Sequence, residues 1–451
     1  MSVNINKELP LNNNCIITII GIGYVGLPLA IEFAKTSICK RTGEKLDRKI
    51  FGFDINKNRI EQLKDGYDYT SEIKDYEKEF LNDIHFTNNY KDILNSDVYI
   101  ITVPTPIDSQ KIPNLKPLDS ACRTVAKSIM NSIKNKQTKQ IIIFESTVYP
   151  GATEEFCIPI IEEITNLKRN IDFVFGYSPE RINPGDIKHR LSTIKKITSG
   201  SDESSRNWID KLYGSIISAS TLSVSDIKIA EAAKVIENTQ RDLNIALINE
   251  LALIFQKMGI DTKEVIEAAS TKWNFVKLFP GLVGGHCIGV DPYYLTYKSM
   301  KIGYVPNVIL AGRRMNDSMG ANVAKLLLKE MVKNSIVINA AEVLIMGFSF
   351  KENCPDFRNT GVLNLFNELK DFSCNLTVFD PLVDNNRVFK VHKIEVHKEI
   401  PKKKFNAILI AVGHSCFKKM GLKKIKEYCY SNSVIFDLKY IFETSDNIIR
   451  L

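Results

Sequence analysis

The chain has 451 residues, of which 44% are hydrophobic and 25% charged, and this length exceeds what a single hydrophobic core usually organises. Its nine cysteines include no CxxC pair, which indicates reduced thiols in a cytoplasmic protein and argues against a disulfide framework or a metal site. The net charge of +8 suits anionic ligands, but basic and acidic residues are interspersed, so we expect no nucleic-acid partner.

Short apolar runs alternate with helical patterns over the first half of the chain. The stretch from Cys15 to Ile31 has no charged residue, but three glycines interrupt it, so it predicts a strand, a turn and a helix rather than a membrane span. The strand candidates are Ile16–Ile20, Ile50–Phe53, Val98–Val103, Ile141–Phe144, Phe173–Phe175 and Ile194–Thr198. This alternation predicts a parallel, doubly wound sheet, and we expect no association with a membrane.

A long helix and a second alternation follow. No proline or glycine interrupts the chain from about Ser225 to Met258, and its apolar residues recur at helical spacing. Further strand candidates are Val343–Met346, Leu376–Phe379, Ala407–Val412 and Val434–Phe436, with a helix from about Gly361. We predict an α/β fold, with two Rossmann-like doubly wound parallel-sheet domains joined by a long central helix and a small helical domain. The predicted domains are residues 1–222, 223–330 and 331–451.

A glycine-rich turn, Gly21-Ile22-Gly23-Tyr24-Val25-Gly26, follows the first strand candidate. Glycines at this spacing permit a tight turn and let the pyrophosphate of a dinucleotide approach a helix N-terminus. Asp54 ends the second strand, where its carboxylate can bind the adenosine ribose and repel a 2′-phosphate, which favours NAD. The predicted NAD-binding residues of this region are Gly21, Gly23, Tyr24, Val25, Gly26, Asp54 and Arg59. A purely structural glycine turn is the alternative.

Hydroxyl side chains follow two further strands of the same predicted sheet. Thr105 comes after the third strand candidate and Thr147 after the fourth. Ligands of such sheets sit at the carboxyl ends of the strands, so both threonines are predicted to border the cofactor. Capping of the next helix is the alternative for each of them.

Residues 280–291 form a glycine-dense segment that contains Cys287 and Asp291. Such a backbone can turn sharply and approach a ligand. A thiolate there can add to an aldehyde, and oxidation of the adduct leaves a thioester that water cleaves. A simple alcohol dehydrogenase needs no such cysteine, and an inert cysteine is the alternative.

Two other groups of polar residues are candidates for the same chemistry. Lys234 and Asn238 lie four residues apart, so they project from one face of the predicted long helix, where they can transfer a proton and stabilise an oxyanion. The segment from Lys351 to Arg358 offers cations just after a strand of the second sheet, which suits an anion. A solvated helix face and a solvated loop are the alternatives.

Together these motifs resemble the nucleotide-sugar dehydrogenases that include the UDP-glucose and GDP-mannose enzymes, over nearly the whole chain. The matches are Gly21 to Gly26, Glu145-Ser146-Thr147, Ser178-Pro179-Glu180-Arg181, Lys234 with Asn238, Gly284-Gly285-His286-Cys287 with Asp291, and Gly347-Phe348-Ser349-Phe350-Lys351 followed by Asp356-Phe357-Arg358. Six matches in this order make chance a poor explanation.

The resemblance implies a set of catalytic residues. By it, Cys287 is the nucleophile, and Lys234 and Asn238 stabilise oxyanionic intermediates and contact the substrate. Lys234 is also able to shuttle a proton. Asp291 and Glu180 assist hydrolysis of the thioester.

The resemblance also implies how substrate and cofactor are held. Thr147 helps to place water, while Glu180, Gly284 and Lys351 contact the substrate, whose nucleotide binds to the C-terminal α/β unit. Arg358 reaches into the cleft between the domains and contacts the cofactor. The helical middle is expected to form a dimer interface, which implies a homodimer or a higher homo-oligomer.

The residues around Cys287 look like the branch that acts on UDP-N-acetylhexosamines, of the Vi antigen and capsular polysaccharide type, whereas UDP-glucose enzymes usually read GGSCFPKD. We therefore expect oxidation of UDP-N-acetylglucosamine, or its galacto or manno epimer, at C6 to the uronic acid with two NAD, for surface polysaccharide. The alternatives are a UDP-glucose or GDP-mannose 6-dehydrogenase, a two-electron dehydrogenase of the 3-hydroxyacid type, and a nucleotide-sugar binding protein without turnover.

Overall fold

The structure, a computed structural model, describes residues 7–70, 72–133, 136–182, 190–443 and 448–451. The chain divides into two compact units. The first unit comprises Met1–Glu237 with Tyr293–Ile302, and the second comprises Asn238–Pro292 with Gly303–Leu451. In the described part of the chain, none of the helices combines the length and apolar character needed to cross a membrane.

The first unit contains a six-stranded, all-parallel sheet. Its strands are β1 (Ile16–Ile20), β2 (Lys49–Phe53), β3 (Ile84–Thr87), β4 (Val98–Ile101), β5 (Gln140–Phe144) and β6 (Phe173–Tyr177), in the order β3-β2-β1-β4-β5-β6. The two strands next to β1 belong to opposite halves of the sheet, and ligands of such folds bind at the carboxyl edge where the order reverses. The central strands are buried on both faces, which explains their unbroken apolar runs.

Helices cover both faces of this sheet. They are α1 (Gly26–Lys35), α2 (Lys57–Lys64), α3 (Lys116–Ser132), α4 (Ile158–Thr165) and α5 (Glu203–Gly214), with short 3-10 segments at Asp75–Asp83, Tyr90–Ile93 and Leu191–Thr193 and a π-helical turn at Thr153–Cys157. The core between helices and sheet includes Ile17, Leu29, Phe33, Ile100 and Ile143, all essentially inaccessible to solvent.

Two strands differ from the prediction. Ile84–Thr87 is a strand of the main sheet that the sequence pattern did not single out, because it is only four residues long and His85 interrupts its apolar character. The segment predicted as Ile194–Thr198 forms β7 (Lys196–Thr198), but β7 pairs with β8 (Thr221–Ser223) in a separate two-stranded sheet. Apolar alternation indicates a strand but does not determine its partner.

The predicted long helix is α6 (Ile227–Met258), and its last residue is the predicted one. Three more helices follow it: α7 (Thr262–Ala269), α8 (Asp291–Lys301) and α9 (Asn307–Lys333). The glycine-dense segment 280–291 lies between α7 and α8 without regular structure until Asp291 begins α8.

The second unit contains another six-stranded parallel sheet with the same winding. Its elements are β9 (Glu342–Met346), α10 (Val362–Asp371), β10 (Asn375–Phe379), α11 (Asn385–His392), β11 (Val396–His397), β12 (Phe405–Ile410), α12 (Ser415–Lys426), β13 (Cys429–Asp437) and β14 (Ile448–Ile449), and the strand order is β11-β10-β9-β12-β13-β14. The prediction of two Rossmann-like parallel sheets and a long central helix is confirmed.

Candidate active site

The glycine turn between β1 and α1 has the shape that a dinucleotide requires. Gly21 has a φ of +94°, and its N–H donates to Phe53 O at 2.8 Å. A Cβ on Gly26 would overlap Gly21 O and lie 2.5 Å from Thr102 Oγ1, whereas a Cβ on Gly23 would meet nothing within 4 Å. Helix α1 begins at Gly26 without a side-chain cap, and although Leu27 N donates to Gly23 O at 3.1 Å and Pro28 has no N–H, the positive end of the helix lies at this turn and suits an anion.

Asp54 and Arg59 both bind the backbone of this turn. The Asp54 carboxylate accepts from Ile22 N at 2.9 Å and from Asn56 N at 2.8 Å, and it is half-buried. Arg59 is buried, donates from Nε to Ile22 O at 2.9 Å and pairs with Asp68 at 2.8 Å. The open face at Gly23, the uncapped helix and the Asp54 carboxylate fit NAD. Arg59 supports the turn from beneath, and its direct contact with the cofactor stays a prediction.

The two predicted threonines follow strands that end at the same edge of the sheet. Thr105 comes four residues after the last residue of β4, and Tyr294 OH donates to its carbonyl oxygen at 2.9 Å. Thr147 comes three residues after β5 and is half-buried. Ser146 Oγ donates to Val103 O at 2.7 Å and so joins the two strand ends. The structure therefore places both threonines beyond the carboxyl edge that carries the glycine turn.

A buried ion pair that the sequence does not predict holds this edge together. Lys196 Nζ lies 2.6 Å from Glu145 Oε2, and both side chains are almost completely inaccessible. Lys196 also donates to Pro179 O at 3.1 Å, and Tyr213 OH donates to the second oxygen of Glu145. These contacts connect the end of β5 to the segment that carries Glu180. No local sequence signal could have paired residues 51 positions apart.

Glu180 and Lys234 are both buried in the first unit, at 5% and 4% exposure. Burial raises the pKa of the Glu180 carboxyl above its ordinary value, and the positive charge of Lys234 works in the opposite direction. The neighbouring Arg181 pairs with Glu237 on α6 at 2.5 Å, which fixes the helix against this segment. A carboxyl of raised pKa beside a lysine is an arrangement suited to moving protons.

The cysteine loop, residues 280–291, belongs to the second unit. Cys287 is partly exposed, and its carbonyl oxygen accepts from Asp291 N at 2.8 Å, where α8 begins. Asn238 Nδ2 donates to Asp291 Oδ2 at 2.6 Å. The structure thus brings together three of the predicted catalytic residues, with Asn238 and Asp291 in direct contact.

The loop after β9, residues 347–361, contains the predicted cations of the second sheet. Arg358 forms a two-pronged contact with Asp356, at 2.9 Å from Nε and 2.6 Å from Nη2. His286, next to Cys287, lies 3.4 Å from the same carboxylate. Burial works to raise the pKa of Asp356, but the hydrogen bonds from His286 and Arg358 outweigh it and hold that pKa well below its ordinary value. Asp356 is therefore a stable anion between the two loops.

The second sheet repeats the turn of the first one with one difference. Gly347 also has a φ of +94° and donates to the end of its neighbouring strand at 2.8 Å, and Asp380 accepts from Phe348 N at 2.7 Å as Asp54 does from Ile22 N. Here, however, the carboxylate is fully buried, and His414 Nε2 lies 3.2 Å from it. His414 Nδ1 accepts from Asn353 N, so Nε2 holds the proton and donates to Asp380.

The predicted site residues divide between the two units. The first unit contains Gly21, Gly23, Tyr24, Val25, Gly26, Asp54, Arg59, Thr105, Thr147, Glu180 and Lys234, and the second contains Asn238, Gly284, Cys287, Asp291, Lys351 and Arg358. Helix α6 carries Lys234 of the first group and Asn238 of the second group, which lie about one helical turn apart.

Family models match along the length of the chain. The NAD binding domain of the UDP-glucose/GDP-mannose dehydrogenase family matches residues 15–217, the central domain of that family matches residues 228–318, and its UDP binding domain matches residues 344–444.

Comparison with individual proteins also gives nucleotide-sugar dehydrogenases. The chain is 50% identical to the UDP-N-acetyl-D-glucosamine 6-dehydrogenase of Salmonella typhi, covering 96% of this chain and 98% of that protein, and 45% identical to protein CapL of Staphylococcus aureus, covering 97% and 98%. The solved structure of a UDP-D-ManNAc dehydrogenase from Pyrococcus horikoshii superposes with a TM-score of 0.83 at 29% identity, over 96% of this chain and 98% of that one. The chain belongs to the UDP-glucose/GDP-mannose dehydrogenase family and is an NAD-dependent nucleotide-sugar 6-dehydrogenase.

Proposed function

We propose that the enzyme oxidises C6 of a UDP-N-acetylhexosamine, UDP-N-acetylglucosamine first among its epimers, to the carboxylate. The observation that carries the chemistry is the partly exposed Cys287, in a loop that ends at Asp291 hydrogen-bonded to Asn238. The substrate is supported by two relatives, from Salmonella typhi and Pseudomonas aeruginosa, that are named UDP-N-acetyl-D-glucosamine 6-dehydrogenases and are each 50% identical to this chain. The product would supply the synthesis of a surface polysaccharide.

The proposed reaction removes two hydrides and adds one water. Loss of a hydride and a proton converts the C6 alcohol to an aldehyde, and Cys287 Sγ then bonds to C6 to give a thiohemiacetal. Loss of a second hydride, from C6, and of the hydroxyl proton leaves a thioester, which water cleaves to release the carboxylate and a proton and to restore the thiol. NAD, when bound, supplies the hydride acceptor for both oxidations.

The side chains of this chain would manage the protons and the developing charge. Lys234 and Asn238 would stabilise the oxygen of the alkoxide and of the tetrahedral adducts. Glu180, whose pKa burial raises, and Asp291 would help water to attack the thioester, and Thr147 would hold that water. A carboxylate of raised pKa is a stronger base than an ordinary glutamate, so it takes a proton from water more readily near neutral pH.

Cofactor and substrate would bind to different sheets. The glycine turn, Asp54 and the strand-end threonines would hold NAD on the first sheet, and Arg358 would add a contact to it. Lys351 would hold the nucleotide of the substrate at the second sheet, and Gly284 would let the sugar approach the backbone. The matches of the NAD binding and UDP binding family domains support this assignment of NAD to the first sheet and of the substrate nucleotide to the second.

Oligomer, location and domain limits are part of the proposal. Leu247, Ile254 and Met258 are exposed apolar residues seven and four positions apart on α6, so one face of this helix offers a surface for a second copy in a homodimer or larger assembly.

Nine free cysteines suit the reducing cytoplasm, where NAD and UDP-sugars are supplied. We retain 1–222, 223–330 and 331–451 as the proposed domains.

The test combines a stoichiometry with one pair of variants. The purified enzyme is mixed with NAD and UDP-N-acetylglucosamine, the NADH formed per sugar consumed is measured, and the product is identified by mass. Two NADH and a carboxylate support the proposal, whereas one NADH with an aldehyde or ketone product contradicts the covalent route. A clear preference for UDP-glucose would contradict the proposed substrate.

The variants are Cys287→Ser and, as a matched control, Cys429→Ser. Cys429 is also a partly exposed thiol of the second unit but lies at the beginning of β13. We expect the first change to abolish acid formation and the control to retain it. Unimpaired uronate formation by Cys287→Ser would refute the proposed nucleophile.

A further inference from the structure

The cysteine loop is hydrogen-bonded at its middle to the loop of the second sheet. Gly285 N donates to Asn359 O at 3.2 Å, and Asn359 Nδ2 donates to Gly285 O at 3.3 Å. One asparagine therefore binds both backbone groups of a residue only two positions before Cys287. Asn359 has a φ of +51°, a left-handed conformation in which asparagine is among the better tolerated residues.

Side-chain packing adds a second connection between these loops. A Cβ on Gly285 would lie 2.8 Å from the Phe350 ring, so this ring rests directly on the glycine backbone. The ammonium group of Lys351 lies 5.5 Å from the centre of the same ring. Lys351, Phe350, Gly285 and the segment up to Cys287 thus form a continuous series of contacts within the second unit.

The ends of the cysteine loop are held differently from its middle. At the beginning, the Asn249 amide on α6 donates to Gly281 O at 3.1 Å and accepts from Gly281 N at 2.8 Å. At the end, Asn238 on α6 donates to Asp291. Helix α6 therefore fixes both ends, whereas the middle, where the thiol lies, contacts the loop of the second sheet through Asn359 and Phe350, with His286 also 3.4 Å from Asp356.

We propose that Asn359 is a positioning residue, which couples occupation of the nucleotide site at Lys351 to the orientation of the Cys287 thiol. This inference rests on the proposed function, which assigns the roles of the two coupled sites, the Cys287 thiol and the nucleotide site. A nucleotide that orders the loop 347–361 would, through Asn359, also order the cysteine loop. The nucleotide part of the substrate, which does not react, would then contribute to the rate of oxidation at C6. By thermodynamic linkage, the state of the cysteine loop would change nucleotide affinity by the same factor.

The sharpest variant is Asn359→Asp in the full-length enzyme. It keeps the shape and the tolerance of a positive φ, but a carboxylate oxygen cannot donate to Gly285 O and is repelled by it. Asn359→Gly is a second variant, since it keeps the left-handed backbone and the bond to Asn359 O and removes only the amide. Asn166→Asp is the matched control, because Asn166 is also left-handed but lies at the end of α4 in the first unit.

The readout is the rate at which iodoacetamide alkylates Cys287, with and without saturating UDP, measured by peptide mass spectrometry with Cys429 as internal reference. In the wild type and in Asn166→Asp, UDP should change this rate by about five-fold, the lower end of the usual range for coupled sites. In Asn359→Asp the effect should disappear, and kcat should fall by about five-fold with an unchanged KM for NAD. Asn359→Gly should show the same loss of the UDP effect.

Two outcomes would overturn the coupling. One is a wild-type alkylation rate that UDP does not change. The other is a UDP effect of equal size in both Asn359 variants, which would show that UDP merely shields the thiol. If Cys287→Ser abolishes acid formation while the Asn359 variants keep the UDP effect, the coupling fails and the proposed function stands. If Cys287→Ser still makes acid, the proposed function itself fails.

Discussion

Replacing Glu231 by glutamine should change how the stability of the first unit depends on pH. Glu231 lies on α6, is completely buried, and its carboxylate accepts from Gly151 N at 2.5 Å and from Thr153 N at 2.9 Å. It thereby holds the turn that follows Thr147 against the helix that carries Lys234. Burial raises the pKa of this carboxyl to about 7, although the two N–H groups favour the ionised form.

The sign of the effect follows from that shift. Because the folded protein binds the Glu231 proton more tightly than the unfolded chain, the resulting stability is fully present below the ordinary pKa of 4.5 and is lost as pH rises through about 7. The difference between a pKa of 4.5 in the unfolded chain and about 7 in the folded protein corresponds to about 3 kcal/mol. Glu231→Gln cannot titrate, so the free energy of unfolding of the wild type minus that of the variant should fall by about 3 kcal/mol from about pH 4 to about pH 8.

The two tryptophans provide the assay. Trp208 is buried in the first unit, whereas Trp273 is 92% exposed, so fluorescence during unfolding by urea reports mainly on the unit that contains Glu231. Glu162→Gln is a control of opposite sign, because the hydrogen bond from Arg169 lowers the pKa of Glu162 and its stabilisation is lost as pH falls. The reasoning would be refuted if the difference in free energy of unfolding between the wild type and Glu231→Gln stayed constant across this pH range.

Three further outcomes test other parts of the structure. Lys196→Met should destabilise the first unit by about 3–5 kcal/mol because it leaves the Glu145 carboxylate buried without an opposite charge, and the double variant with Glu145→Gln should recover much of that loss in urea unfolding. Gly285→Ala should lower kcat for acid formation at least about ten-fold without changing the tryptophan unfolding curve, since a positive φ and an aromatic ring leave no room for a Cβ. Gly23→Ala should weaken NAD binding in calorimetry and leave stability within about 0.5 kcal/mol, whereas Gly26→Ala should lower both; equal effects of these two changes on stability would contradict the packing described.

Local patterns could be predicted from the sequence, and contacts over long separations could not. The glycine turn, Asp54 and helix α6 follow from spacing within a few tens of residues, so their prediction needed no knowledge of packing. The pairing of Lys196 with Glu145 and the hold of Asn359 on the cysteine loop join residues 51 and 74 positions apart. Side-chain chemistry alone does not distinguish such a lysine or asparagine from a solvated one, since only the fold determines which groups lose their water.

The difference between the two glycine turns has a consequence for the timing of the reaction. In the described part of the chain, the turn on the first sheet leaves its Asp54 carboxylate half-buried, whereas the corresponding Asp380 is sealed beneath His414. The second sheet therefore cannot offer its carboxylate to a ribose, and a reaction that removes two hydrides has to use the first turn twice. In the proposed reaction, spent NADH would leave and fresh NAD would arrive between the two oxidations, and a covalent bond to Cys287 would keep the reactive aldehyde from escaping in that interval.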